Sequence, residues 1–198
     1  VGKFFHEFGI TIVAASKTQS VEAIRAAHAL GVSVFGESKM QEALPKIASL
    51  PEIERWRFIG KLQSNKVKFL APFEALETLE SRAQLKELAK LERPIEALIQ
   101  VNIGREPQKS GILPENATEF VESALQCKQV NFRGFMTIGP AVRNAEEMRP
   151  YFRSLFALNE RFGGTCLSMG MSDDFEVAIQ EGSTHIRIGS ALFGARHN

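Results

Sequence analysis

A lysine stands where a buried run ends: TIVAAS (11–16) leads directly into Lys17, Thr18, Gln19 and Ser20. An amine beside Val13, Ala14 and Ala15 is partly desolvated, which favours its neutral, nucleophilic form and suits Schiff-base chemistry with a carbonyl. Far along the chain, SMGMSDD (168–174) puts small residues and glycine ahead of a helix-like run. RIGS (187–190) then joins a guanidinium, a glycine that admits close backbone approach and a hydroxyl. Ser172, Gly189 and Ser190, with the free N–H groups of a helix start, are the kinds of group that hold a phosphate. Taken singly, each also fits a plain structural role: Ser172 a helix cap, Gly189 a turn, Arg187 an ion-pair partner, Lys17 a solvated strand-end lysine. Chemical meaning comes from the combination of a reactive amine and an anion cradle in one chain.

That combination works only if the fold brings residue 17 to residues 168–190. The chain repeats one strand-then-helix unit. TIVAAS precedes a helix over 20–30, with Ser20 as N-cap, Glu22 in the first turn and Gly31 just past the end. SVFG (33–36) precedes a helix from about Lys39 to Leu50, RFIG (57–60) one from about Gln63 to Leu70, and EALETL (74–79) the stretch SRAQLKELAKL. IEALIQVNI (95–103) precedes ENATEFVESALQC, and FRGFMTI (132–138) precedes 145–162, where Pro150 either kinks the helix or starts it. CLSMG (166–170) precedes DFEVAIQEG, with Asp173 and Glu176 spaced as a capping box, and HIRIG (185–189) precedes SALFG.

Alternating helices and continuous apolar strands imply a parallel sheet covered by helices. Eight units predict a single-domain (β/α)8 TIM barrel over residues 1–198. A doubly wound open sheet would want fewer strands and a Gly-rich first turn, whereas SKTQS carries no G-x-G-x-x-G. Barrel sites lie at the C-terminal strand ends, and loops seven and eight are the usual place for phosphate. Lys17 and the 168–190 cradle therefore belong to one mouth.

Composition narrows the function. Lys plus Arg number 24 against 23 Asp plus Glu, so no whole-chain field draws the protein to nucleic acid or an anionic membrane. Apolar runs fall well short of the roughly 20 residues that span a bilayer, and VGKFFHEFG lacks a signal-peptide core, so a soluble, cytoplasmic protein is expected. It is expected to be a monomer. Cys127 and Cys166 stand far apart without a C-x-x-C pair, which predicts neither a disulfide nor a metal site. GKLQSNK (60–66) lacks phosphate-loop spacing; Lys61, Lys66 and Lys68 are expected to ring the mouth and attract an anionic ligand.

AASKT (14–18), FGES-x-x-QE (35–42), FIGKLQSNK (58–66), GFMTI (134–138), SMGMSDDFEVAI (168–179), EGST-x-x-RIG (181–189) and ALFGAR (191–196) together resemble the pyridoxal-phosphate homeostasis protein family over nearly the whole chain. The resemblance implies an alanine-racemase-like barrel without the β-domain that racemases add. It implies pyridoxal 5′-phosphate carried on Lys17 as a Schiff base, with Ser172, Gly189 and Ser190 at the phosphate, Arg187 at the pyridine nitrogen and Met169 close to the cofactor. It also implies a part in vitamin B6 homeostasis without established turnover, with transient contact to apoenzymes that require the cofactor. The chain departs from the family at Ser38, usually Asn, and at Arg57, usually His. The family's extra first helix is replaced by VGKFFHEFG, so looser barrel closure is expected at that end.

Arginine does not release its proton at ordinary pH, so a ring nitrogen held by Arg187 stays unprotonated and the ring is a weak electron sink. Tyr151, the one tyrosine, falls after strand six rather than at a strand end and reads as an aromatic packed on the barrel. Three readings stay open from sequence: a cofactor carrier, a small pyridoxal-phosphate amino-acid racemase, and a class I aldolase-like barrel whose lysine works without a cofactor.

Overall fold

Non-alternating apolar segments with flanking helices fold here as a closed parallel barrel. The computed structural model describes residues 9–194. Eight strands pair in sequence order: β1 (Thr11–Ala15), β2 (Val34–Glu37), β3 (Arg55–Phe58), β4 (Ala75–Leu79), β5 (Ile95–Gln100), β6 (Val130–Met136), β7 (Cys166–Ser168) and β8 (His185–Ile188). The expected loosening at the closing seam is not found. β1 pairs β8 in register from Thr11–His185 to Ala14–Ile188. Residues 1–8 of VGKFFHEFG, and Ala195 and Arg196 of ALFGAR, lie outside the described residues.

The helices are α1 (Val21–Ala29), α2 (Met40–Ser49), α3 (Arg82–Leu88), α4 (Ala117–Leu125), α5 (Arg149–Arg161), α6 (Phe175–Gln180) and α7 (Ser190–Phe193). Ser20 caps α1 as its type predicts, its hydroxyl accepting from the Ala23 N–H at 3.2 Å. Ser81 and Gln84 close a capping box on α3. Pro150 starts α5 rather than kinking it, with Pro in the first turn after a short 3-10 piece. The predicted Asp173–Glu176 box does not form. Asp174 is the N-cap of α6, and its carboxylate accepts from the Met171 N–H at 2.7 Å. The stretch expected as a helix over 63–70 is a 3-10 segment, Ser64–Phe69, which buries Val67 and is followed three residues on by buried Leu70.

Strand alternation divides two environments. Ala14, Phe35, Phe58, Leu76, Ile99, Phe135 and Leu167 join the large core between sheet and helices. Residues of the opposite parity face the barrel axis, where a small cluster of Leu98, Met136 and Cys166 sits beside buried Arg57, Glu77, Ser168 and Arg187. Gly60 brings two mouth loops together: a Cβ there would lie 2.0 Å from the Ser38 carbonyl oxygen, so only glycine fits. Tyr151 is partly buried against the outer core, as expected.

Candidate functional site

The C-terminal ends of β1, β7 and β8 surround a cavity of about 260 Å3. Lys17, Ser172, Arg187, Gly189 and Ser190 all line it. Five of the six residues singled out from sequence thus converge on one space, although 155 positions separate Lys17 from Ser172. Met169 does not join them. It is fully buried in the main core, and Met171 lines the cavity instead. The reason is the turn at Gly170, where φ is 95° and the chain reverses which side chain faces the mouth. Gln19, Ser38, Ile59 and Asp173 complete much of the wall; the sequence marks Ser38 as a departure from the resembled family and Asp173 as part of the SMGMSDD run, whereas Gln19 and Ile59 carry no expectation.

Ser172 and Ser190 come to the cradle from the loops after β7 and β8. The Ser172 hydroxyl accepts only a long bond, 3.4 Å, from the Ala191 N–H, which leaves its proton available to a ligand. Ser190 is exposed at the first position of α7, and Gly189 before it has no side chain to fill the approach.

Arg187 forms the floor and is tied into the barrel axis. Its Nη1 donates to the Ser168 hydroxyl at 2.6 Å and its Nη2 to the Thr137 carbonyl at 2.6 Å. Ser168 donates in turn to Glu77 Oε2 at 2.7 Å, and Arg57 Nε donates to Glu77 Oε1 at 2.6 Å. The proton order is fixed, because arginine can only donate and an ionised carboxylate can only accept. Burial alone would raise the Glu77 carboxyl, but Arg57 and Arg187 outweigh it and hold the group below the usual carboxylate range. Burial lowers the Arg187 guanidinium from its ordinary value, with Glu77 opposing the change. Arg57, which stands where the resembled family usually has His, is therefore an axial ion-pair partner of Glu77.

Two neutral groups share this interior. Burial pushes the Cys166 thiol up to about 12 and His185 down to about 4, and their Sγ and Nδ1 atoms lie 3.1 Å apart. The sequence offered one further signal for this axis: Arg57, Glu77 and Ser168 are polar residues inside strands, as is Arg187.

A second, smaller hollow of about 130 Å3 adjoins the main one at Ser38 and carries Lys39, Lys61 and Lys66 on its wall. Lys61 and Lys66 are thus at the mouth, as expected. Lys68 instead lines a separate hollow with Lys90 and Arg93, and both it and Lys66 place their ammonium over the Phe69 ring, 5.2 and 5.6 Å from its centre. Among the described residues no group of three or more His, Cys, Asp or Glu could hold a metal ion. No helix there is long and apolar enough to cross a membrane.

A closed eight-stranded parallel barrel with a lysine after β1 facing a cradle after β7 and β8 defines an alanine-racemase-type barrel, and the family described as "Alanine racemase, N-terminal domain" matches residues 7–197. The chain belongs to that family and, within it, to the pyridoxal phosphate homeostasis proteins. It is 42% identical over 197 residues to the pyridoxal phosphate homeostasis protein of Aquifex aeolicus, covering 93% of this chain and 86% of the relative. The protein of the same name in Escherichia coli strain K12 is 38% identical over 202 residues, covering 94% and 86%. The structure of PipY from Synechococcus elongatus PCC7942 with PLP bound superposes with a TM-score of 0.85 at 32% identity, covering 94% of this chain and 93% of that one. Alanine racemase from E. faecalis, at 15% identity and a TM-score of 0.73, shares the barrel fold and covers 95% of this chain but 54% of its own.

Proposed function

We propose that this protein binds pyridoxal 5′-phosphate at the barrel mouth, holds it covalently through Lys17, and serves vitamin B6 homeostasis as a carrier of the cofactor in the cytoplasm. One observation carries the reading: an amine, two hydroxyls and a guanidinium line a single cavity, the kinds of group that an aldehyde, a phosphate and a ring nitrogen call for. The bound cofactor supplies an electrophilic aldehyde carbon and a ring able to withdraw electrons. Lys17 provides the nucleophile from one wall. Ser172 and Ser190 donate hydroxyl protons to phosphate oxygens, and Gly189 lets the backbone approach them. Arg187, saturated on one side by Ser168 and Thr137, presents a donor that keeps its proton, so the ring nitrogen gains none from it.

That last point favours storage over turnover. The cavity wall offers Asp173 as its one carboxylate and no tyrosine, histidine or cysteine among the described residues, so a racemase reading would rest on Asp173 as the second proton-transfer group. Delivery to apoenzymes would proceed by transient contact, with the protein working as a monomer.

The test is a visible-range spectrum of the protein with added cofactor, followed by borohydride reduction and peptide mass spectrometry. The adduct is expected on Lys17 and lost in Lys17→Ala, which should still fold because the side chain lies outside the core. An adduct only on Lys61 or Lys66 would overturn the assignment. Solvent deuterium should enter the α-carbon of alanine no faster than with free cofactor. Rapid exchange that depends on Lys17 would replace the carrier by an enzyme.

A further inference from the structure

The two peptide groups that flank the Lys17 side chain are both held from outside the barrel by one ion pair on α2. Lys46 has three ammonium protons and three acceptors: the Ser16 carbonyl at 2.9 Å, Glu37 Oε1 at 3.0 Å and Glu42 Oε1 at 2.5 Å. Glu42 Oε1 accepts a further bond, from the backbone N–H of Thr18, at 2.5 Å. The residue before Lys17 is thus gripped by the lysine of the pair and the residue after it by the glutamate. Glu37, fully buried, completes the anchor by accepting from the Ser16 hydroxyl at 2.7 Å.

The grip is needed because the turn is strained. Thr18 has φ of 66°, a left-handed conformation in which a β-branched side chain crowds the backbone. Such a residue persists only where its surroundings over-determine it. The Glu42 carboxylate is the group that captures the Thr18 N–H in this conformation. Glu42 and Lys46 are four residues apart, one helical turn, so both reach the same turn just after β1. Glu42 also closes the FGES-x-x-QE motif, whose sequence signature the cavity itself does not explain.

We propose that Glu42 and Lys46 are positioning residues that lock the Ser16–Thr18 turn in the conformation that sends the Lys17 side chain into the cavity. Neither touches the cavity wall; both act through the backbone. The inference rests on Lys17 as the attachment point. A role confined to joining α2 to the sheet would lower stability without changing the turn, so the test reads the turn itself.

Three variants separate the cases. Glu42→Ala removes the acceptor, Glu42→Gln keeps an oxygen there, and Thr18→Gly removes the cost of the left-handed conformation. In the ligand-free protein, the Cα and Cβ chemical shifts of Thr18 should move from left-handed towards extended values in Glu42→Ala and stay near wild type in Glu42→Gln. With pyridoxal phosphate added, the rate of the borohydride-trapped adduct at Lys17 should fall about tenfold in Glu42→Ala and within about threefold in Glu42→Gln. Adding Thr18→Gly to Glu42→Ala should recover most of the loss. Unchanged Thr18 shifts in a folded Glu42→Ala protein, or no recovery with glycine, would overturn the proposal. A wild-type protein without the Lys17 adduct would instead remove the attachment reading, while the Thr18 shifts still decide whether the pair sets the turn.

Discussion

Two hydroxyls are asked to recognise one phosphate, and their surroundings set how much each contributes. Ser172 loses only a long 3.4 Å bond when a ligand arrives, and Ser190 is exposed, so little internal bonding has to be broken first. A charge-assisted hydrogen bond to phosphate is worth about 1 to 3 kcal/mol, so Ser172→Ala and Ser190→Ala should each weaken pyridoxal phosphate binding by that amount. Titration of pyridoxal, which lacks the phosphate, should show weaker binding overall and near indifference to both substitutions. Equal losses for the two ligands would mean that the hydroxyls meet another part of the molecule. These residues were legible in the sequence because they sit at strand ends with glycine beside them. Arg57, Glu77 and Ser168 were less so. A charge inside a strand has no meaning until the barrel closes and β3, β4 and β7 face one another across its axis.

At the scale of elements, α2 is the most burdened helix, since it grips the turn of Lys17 while carrying a proline in its interior. Pro45 has no N–H to donate within the helix and is exposed, so it contributes neither a ladder bond nor much packing. Replacing an interior helical proline by alanine recovers roughly 3 kcal/mol of helix propensity, less up to about 1 kcal/mol for the freer unfolded chain. Pro45→Ala should therefore raise stability by about 2 to 3 kcal/mol in urea unfolding, without changing Thr18 shifts. A loss would show that the proline is needed to seat Lys46. The helix expected over 39–50 already runs through Pro45, because the apolar spacing of MQEALPKI outweighs the proline. The strands were readable in order and number, since continuous apolar runs leave little choice in a parallel sheet. Their ends slid by one to three residues, as RFIG against Arg55–Phe58 and IEALIQVNI against Ile95–Gln100 show. Apolar character runs on into the mouth loops after pairing stops.

For the molecule as a whole, the charged barrel axis makes stability depend on pH through groups with opposite signs. His185 is held neutral in the folded state, at about 4, by burial and then by Arg57, against about 6.5 in an unfolded chain. Between those values the unfolded chain binds the extra proton, so this group's contribution is present above pH 6.5 and is lost as pH falls towards 4. Glu77, lowered, adds a loss only below the ordinary carboxylate range. Glu37 and Asp174 are both raised by burial, so they take up protons in the folded state first and act in the opposite direction. An absolute acid profile therefore mixes gains and losses, whereas the difference between wild type and His185→Gln isolates one group. Urea midpoints measured from pH 7.5 to 4.5 should converge as the pH falls, because the wild type loses a contribution that the variant lacks. Parallel curves across that range would mean that His185 titrates in the folded barrel as it does in water, and that the axis is open to solvent.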